Sequence, residues 1–240
     1  MFQGMKSSRQ LSLLIALALS AGGQLFFSHA HAADVTGGDV LIDGTPAHPI
    51  PAAPVAGNKH DIPGATDNRN VVGNKLTATG ISWNGTIYGG YTLGSGNTIG
   101  NEVVLTNGAW VYDSGWGGVI GGYAANGNAT DNTVTLSGTN VNSYSSTNIY
   151  GGQSGNSSAD VTSRNTIRVT TKDNRVNAIR YFDRMQFDLG TGISSGDTML
   201  YTRMNHPAYM PSFEWNDIKV TGDTEWISGA TASKEVTLYD

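Results

Sequence analysis

The chain contains no cysteine. No disulfide holds it together, and thiolate nucleophiles and thiolate metal sites are excluded. In an exported protein that leaves packing and backbone pairing to stabilise the fold. Charge is scarce too: 14% of the 240 residues are charged, against about 25% in an ordinary soluble domain. Lys and Arg are scattered singly, so there is no basic patch to engage nucleic acid or anionic lipid. Past the N-terminal segment no run is apolar enough to cross a bilayer as a helix, and none keeps a helical period. Histidine is nearly missing from the body of the chain. His48, His60 and His206 are not spaced as metal ligands, and no cofactor or metal site is expected.

In place of charge the chain carries 32 glycines and many Asn, Thr and Ser, residues that suit strands and turns better than helices. One phrase recurs: Ile87-Tyr88-Gly89-Gly90-Tyr91, Ile120-Gly121-Gly122-Tyr123 and Ile149-Tyr150-Gly151-Gly152-Gln153. A second alternates with it: Asn101-Glu102-Val103-Val104-Leu105, Asn132-Thr133-Val134-Thr135-Leu136 and Asn165-Thr166-Ile167-Arg168-Val169. The second glycine of the pair advances from 90 to 122 to 152, and the leading asparagine from 101 to 132 to 165. A period of this size marks stacked units rather than one globular core.

Within the second phrase apolar residues alternate with Val104, Thr135 and Arg168, the pattern of a strand with one buried face. The asparagine before each strand and the glycine after it (Gly108, Gly138) read as turn residues, which tolerate left-handed backbone angles. The glycine phrase is expected to make a second strand, its glycine pair permitting a sharp corner where a Cβ would clash. Val103, Val134 and Ile167 should then stack in a parallel β-solenoid, one coil per repeat of about 30 residues. A β-propeller is disfavoured because its blades need about 40–50 residues. An antiparallel sandwich is the other alternative.

Four segments follow from this reading. Residues 1–32 read as a signal peptide: Lys6 and Arg9 form the basic region, Leu11 to Leu19 the apolar one, and Ala30-His31-Ala32 the cleavage pattern. Its removal leaves 12 basic and 19 acidic residues, a net charge of 12 − 19 = −7. Residues 33–69 hold five of the seven prolines and read as a Pro/Ala/Gly-rich linker, an ordered cap over the first coil being the alternative. Residues 70–178 carry the repeats. Residues 179–240 read as an aromatic-rich β continuation or cap, with further strands around Ile179–Leu189, Gly196–Tyr201, Glu214–Val220 and Lys234–Leu238.

With the repeats and the segment Tyr181-Phe182-Asp183 through Gln186-Phe187 to Gly196-Asp197-Thr198-Met199-Leu200, residues 70–205 resemble the passenger region of a bacterial autotransporter, the type V secretion family. The resemblance implies a right-handed parallel β-helix, displayed at the cell surface or outer membrane and often adhesive; with the repeats and the signal peptide it leads to the expectation of a non-enzymatic passenger. Its partner would be a host surface protein or glycan. The family also implies a C-terminal outer-membrane β-barrel. Nothing after Thr202 supplies the alternating strands of about 10 residues that such a barrel needs. The chain is therefore expected to be either a truncated or split passenger or a passenger-like protein without its own translocator: at the cell surface or extracellular, or periplasmic if no translocator exists.

Some parallel β-helices are polysaccharide lyases or hydrolases, which need converging carboxylates or a carboxylate with a base. The candidates are Asp173, Arg175, Asp183, Arg184 and Asp188. Asp183 and Arg184 should point to opposite faces of a strand, and Asp188 away from Asp183. Asn, Asp and Gly crowd the turns, but the nonapeptide of calcium β-rolls is absent. The sequons at Asn84, Asn128 and Asn156 carry little weight in a bacterial chain. Trp83, Trp110, Trp116, Tyr91, Tyr112 and Tyr123 are the aromatics able to meet a sugar or receptor. Packing over coil corners, or stacking in ladders, is the stronger expectation for them.

Overall fold

The structure is a computed structural model that describes residues 34–36, 38–47, 64–65, 68–112, 118–138, 147–190, 192–202, 218–222 and 237–239. The chain divides into two compact units, residues 1–32 and 33–240, and every described residue belongs to the second. The segment read as a signal peptide lies outside the described residues, as do His48, His60, His206 and Trp116. No described helix is long and apolar enough to cross a membrane.

The described elements are all β, and every strand pairing is parallel. They stack as a β-solenoid of about four turns with coils of roughly 31 residues. The largest sheet has seven strands, in the order Asp39–Ile42, Lys75–Thr79, Glu102–Thr106, Thr133–Ser137, Thr166–Val169, Arg184–Leu189 and Ile218–Gly222. The expected column is there: Val103 pairs with Val134 and Val134 with Ile167. Register extends it to Leu76 on one side, and to Met185 and Ile218 on the other. A parallel column runs Ala78, Leu105, Leu136, Val169 and Phe187, all buried. One strand alone cannot bury such a face; stacking at about 4.8 Å per coil closes it from water.

A second sheet carries the glycine phrase. It contains Gly64–Ala65, Tyr91–Thr92 with Ile87–Tyr88, Gly118–Ala124, Asn148–Ser154 and Ala178–Arg180. Residues 33–69, read from sequence as a linker, thus supply strands near both ends. Val35–Thr36 and Asp39–Ile42 pair with Val71–Val72 and Lys75–Thr79, and Gly64–Ala65 pairs with Tyr91–Thr92. The prolines at 49, 51, 54 and 63 lie outside the described residues.

The two recurring phrases turn out to be halves of one contact. Asn74, Asn101, Asn132 and Asn165 are almost wholly buried and form a side-chain ladder at intervals of 27, 31 and 33 residues. The Asn101 amide oxygen accepts from Asn74 N at 3.1 Å and Asn74 Nδ2 at 3.0 Å. Its Nδ2 donates to Val71 O at 3.0 Å and to Asn132 Oδ1 at 3.1 Å. Both amide hydrogens and both lone-pair sites of one buried side chain are therefore filled, which removes the desolvation penalty of burying it.

The glycines make room for this ladder. A Cβ on Gly90 would lie 2.7 Å from the Asn101 side chain, and one on Gly122 would lie 2.6 Å from Asn132 Nδ2. The paired glycines leave no room for a Cβ, as expected, yet adopt no left-handed angle; Gly89 and Gly90 form a bend between Ile87–Tyr88 and Tyr91–Thr92. Gly121 and Gly122 lie inside the strand Gly118–Ala124, and Gly151 and Gly152 inside Asn148–Ser154. Nor do the ladder asparagines adopt left-handed angles. The residue before each one does: Gly73, Gly100, Asp131 and Arg164 have φ of 65, 65, 60 and 58°. Gly108 and Gly138, at 76 and 85°, are left-handed as expected.

Candidate functional site

Among the described residues, the regular spacing of the coils fails most clearly at one place. The first core column advances through positions 76, 103, 134 and 167, then reaches Met185 after only 18 residues. Most of the shortening lies in the passage from the glycine sheet to the seven-stranded sheet. After the strand Asn148–Ser154 the chain spends residues 155–165 reaching Thr166. After Ala178–Arg180 it spends only Tyr181, Phe182 and Asp183 before Arg184. The long turn therefore overhangs the short one.

That overhang shapes a lateral groove of about 510 Å³, lined by Tyr150, Gln153, Ser154, Asn156, Ser157, Ala159, Val161, Arg180 and Tyr181. In-register parallel strands project equivalent residues to the same face. Tyr150 and Arg180 thus continue the column of Tyr88 and Ile120, and Gln153 continues that of Tyr91 and Tyr123. Tyr88 packs 5.8 Å from Tyr123 and 6.2 Å from Tyr91, ring centre to ring centre. The Tyr181 ring stacks on Tyr150 at 6.1 Å and 28°, with the Arg180 guanidinium 5.9 Å from the Tyr150 ring centre.

Two features fix the groove walls. On the overhang, Asn156 N donates to Ser154 Oγ and Ser158 N to Asn156 Oδ1, both at 3.0 Å. Asn156 Nδ2 reaches Asn126 O of the preceding coil at 3.2 Å. Asp160 Oδ1 accepts from Thr162 N and Ser163 N at 3.0 Å; the Ser163 hydroxyl, then these backbone donors, hold the carboxyl below its ordinary range. On the floor, Tyr181 has φ of 60°, a region a bulky side chain seldom enters. Its carbonyl accepts Asn165 Nδ2 at 3.2 Å, and Phe182 beside it is buried. The end of the ladder thus holds Tyr181 in a strained conformation while 43% of the residue stays exposed.

The enzymatic candidates do not converge. Asp183 stands at the next ladder position, because Thr166 pairs with Arg184, and its Oδ2 accepts Arg164 N at 2.7 Å. Asp188 pairs with Arg168 and accepts the Thr221 hydroxyl. It shares the outer face of its strand with the exposed Arg184, as the alternation predicts. Arg175 lies over the Tyr201 ring at 4.2 Å. Asp173 is an exposed left-handed corner residue. Among the described residues, no group of three or more His, Asp or Glu is placed to hold a metal ion.

Comparison with known proteins adds no relative to this picture. No family model, curated protein or solved structure matches the chain.

Of the aromatics singled out from sequence, Trp83 is buried in the core, opposite Val111. Tyr91 is buried as well, and burial pushes its hydroxyl pKa up. Tyr123 is partly buried against the core, and Trp110 is half-buried. Tyr112 forms strand backbone beside Asn84. The groove tyrosines, Tyr150 and Tyr181, were not among those candidates. A signal for them exists in the sequence: Ile167-x-Val169 and Met185-x-Phe187 repeat one strand pattern at little over half the usual interval.

Proposed function

We propose that the chain is a non-enzymatic exported scaffold, the passenger-like part of an autotransporter, acting in adhesion or another surface contact through the lateral groove. The observation that carries this reading is the contrast between the coils and the groove. The ladder satisfies its own polar groups, whereas the groove gathers an exposed strained tyrosine, amides and hydroxyls on the outer wall. Strain and exposed aromatic surface concentrate where proteins meet ligands. The alternative, a polysaccharide lyase or hydrolase, draws no support from Asp173, Arg175, Asp183, Arg184 and Asp188: Arg175, Asp183 and Asp188 are engaged with different partners, and Asp173 and Arg184 are exposed.

Export is tested by expressing the full chain in a Gram-negative cell and sequencing the N-terminus of the product outside the cytoplasm. A start at Ala33 is the expected result; an intact cytoplasmic chain refutes export. Adhesion is tested by binding of the purified protein to a panel of host matrix proteins and glycans. No binding across that panel leaves the scaffold without the proposed role.

A further inference from the structure

We infer that the lateral groove is a carbohydrate subsite in which the Tyr181 ring stacks on the apolar face of a pyranose sugar. The inference rests on the surface-contact role proposed above and names its ligand class. A pyranose presents a face of C–H groups rimmed by hydroxyls, and the groove presents the complement. Tyr150 supports the Tyr181 ring at 6.1 Å, and Tyr181 keeps 43% of its surface exposed. Gln153, Ser154, Asn156 and Ser157 supply neutral amides and hydroxyls on the same lining, groups that both donate to and accept from vicinal hydroxyls. Ala159 and Val161 are the only aliphatic residues of that lining, too few to seat the apolar anchor typical of a protein partner. The volume, about 510 Å³, falls within the range of small-ligand sites.

Two further observations argue for a built site. The overhang is tied internally and to the preceding coil through Asn156, so little ordering accompanies binding. Tyr181 adopts the left-handed angle that Gly73 and Gly100 adopt at other corners. Glycine or asparagine would sit there with less strain. A tyrosine at this angle stabilises the fold less than asparagine would in backbone terms, and its exposed ring is what asparagine lacks. No Asp or Glu lines the groove, so the carboxylate pair of a typical glycoside hydrolase is not among its lining residues.

The test uses the full purified chain on an array of gluco-, galacto- and N-acetylhexosamine oligosaccharides, with purified matrix proteins as a second arm. Binding to at least one oligosaccharide is expected. Tyr181→Asn, which suits the left-handed angle, should weaken it roughly tenfold or more, whereas Tyr181→Phe should retain it. Circular dichroism and the melting temperature establish that Tyr181→Asn is folded. Unchanged oligosaccharide affinity in folded Tyr181→Asn overturns the subsite. Binding to matrix proteins alone overturns the carbohydrate class and leaves the surface-contact role standing; binding to neither overturns both.

Discussion

Between Asn101 and Asn165 each coil meets the next through a buried amide, whereas between Asn165 and Asp183 it meets a carboxylate. An amide both donates and accepts, so each rung prepares the site for another. An ionised carboxylate only accepts. Asp183 takes up the Arg164 N–H and lacks the amide hydrogens with which the other rungs continue the series. At the same point the coil shortens, and the chain turns from Arg180 to Arg184 through a strained Tyr181. The regular coils spend their polar groups on one another; the irregular step leaves aromatic and amide groups facing outward. The lateral groove is thus a by-product of ending the ladder early.

The most severe way to break this comparison is to remove the irregular step altogether. Ending the chain after Thr171 uncovers Ile167 and Val169, which pair with Met185 and Phe187, and deletes the Tyr181 carbonyl that Asn165 donates to. Aggregation in size-exclusion chromatography is expected. A soluble, β-rich fragment would show that the regular coils need no cap.

Asn132→Ala is the next largest perturbation. It deprives Asn101 N and Nδ2 of their acceptor and Thr98 O of a donor, all buried, at a cost of roughly 3 kcal/mol or more. Asn156→Ala, on the exposed overhang, should cost about 0.5 kcal/mol or less. Equal losses in urea unfolding would remove the distinction between rung and turn.

Gly122→Ala should cost about 1–3 kcal/mol, because the added Cβ must displace the Asn132 and Thr98 side chains. Gly190→Ala meets nothing within 4 Å and should leave the melting temperature nearly unchanged. A mild effect at Gly122 would mean that the ladder shifts more readily than its hydrogen bonds imply.

The smallest effect is electrostatic. Arg164, chiefly by its hydrogen bond, holds the Asp131 carboxyl below its ordinary range. Backbone donation from Ser194, followed by Lys172, does the same for Asp197. Carboxyls with depressed folded values stabilise the native state above the unfolded value, and that contribution is lost as pH falls through the folded one. Urea midpoints should decline from about pH 4 downward, less steeply in high salt because both pairs are exposed. Arg164→Ala should remove the Asp131 share and leave that of Asp197. A decline indifferent to salt and to Arg164 would point to other groups.

Much of the scaffold was legible in the chain. Val103, Val134 and Ile167 stack in register as the alternation requires, and Met185 and Phe187 continue the same columns. The roles of the polar and glycine residues were harder to read. Asn and Gly both signal turns in one dimension, yet here the asparagines are buried rungs and the paired glycines are the space beside them. Asp183 looked like a catalytic candidate because a carboxylate in an aromatic segment carries no mark of ladder duty. Tyr181 could not be told from core aromatics, since exposure depends on what the neighbouring coil covers.

What the sequence determined by itself is the period, the inward face of each strand and the parallel stacking that follows, because a buried apolar stripe repeated about every 30 residues closes only against its own copies. Which amide meets which glycine, where the ladder stops and which tyrosine remains in the open were decided by tertiary structure alone. Those contacts depend on how many residues each turn uses before the next coil is laid against it. A difference in turn length becomes a groove only when two coils are stacked.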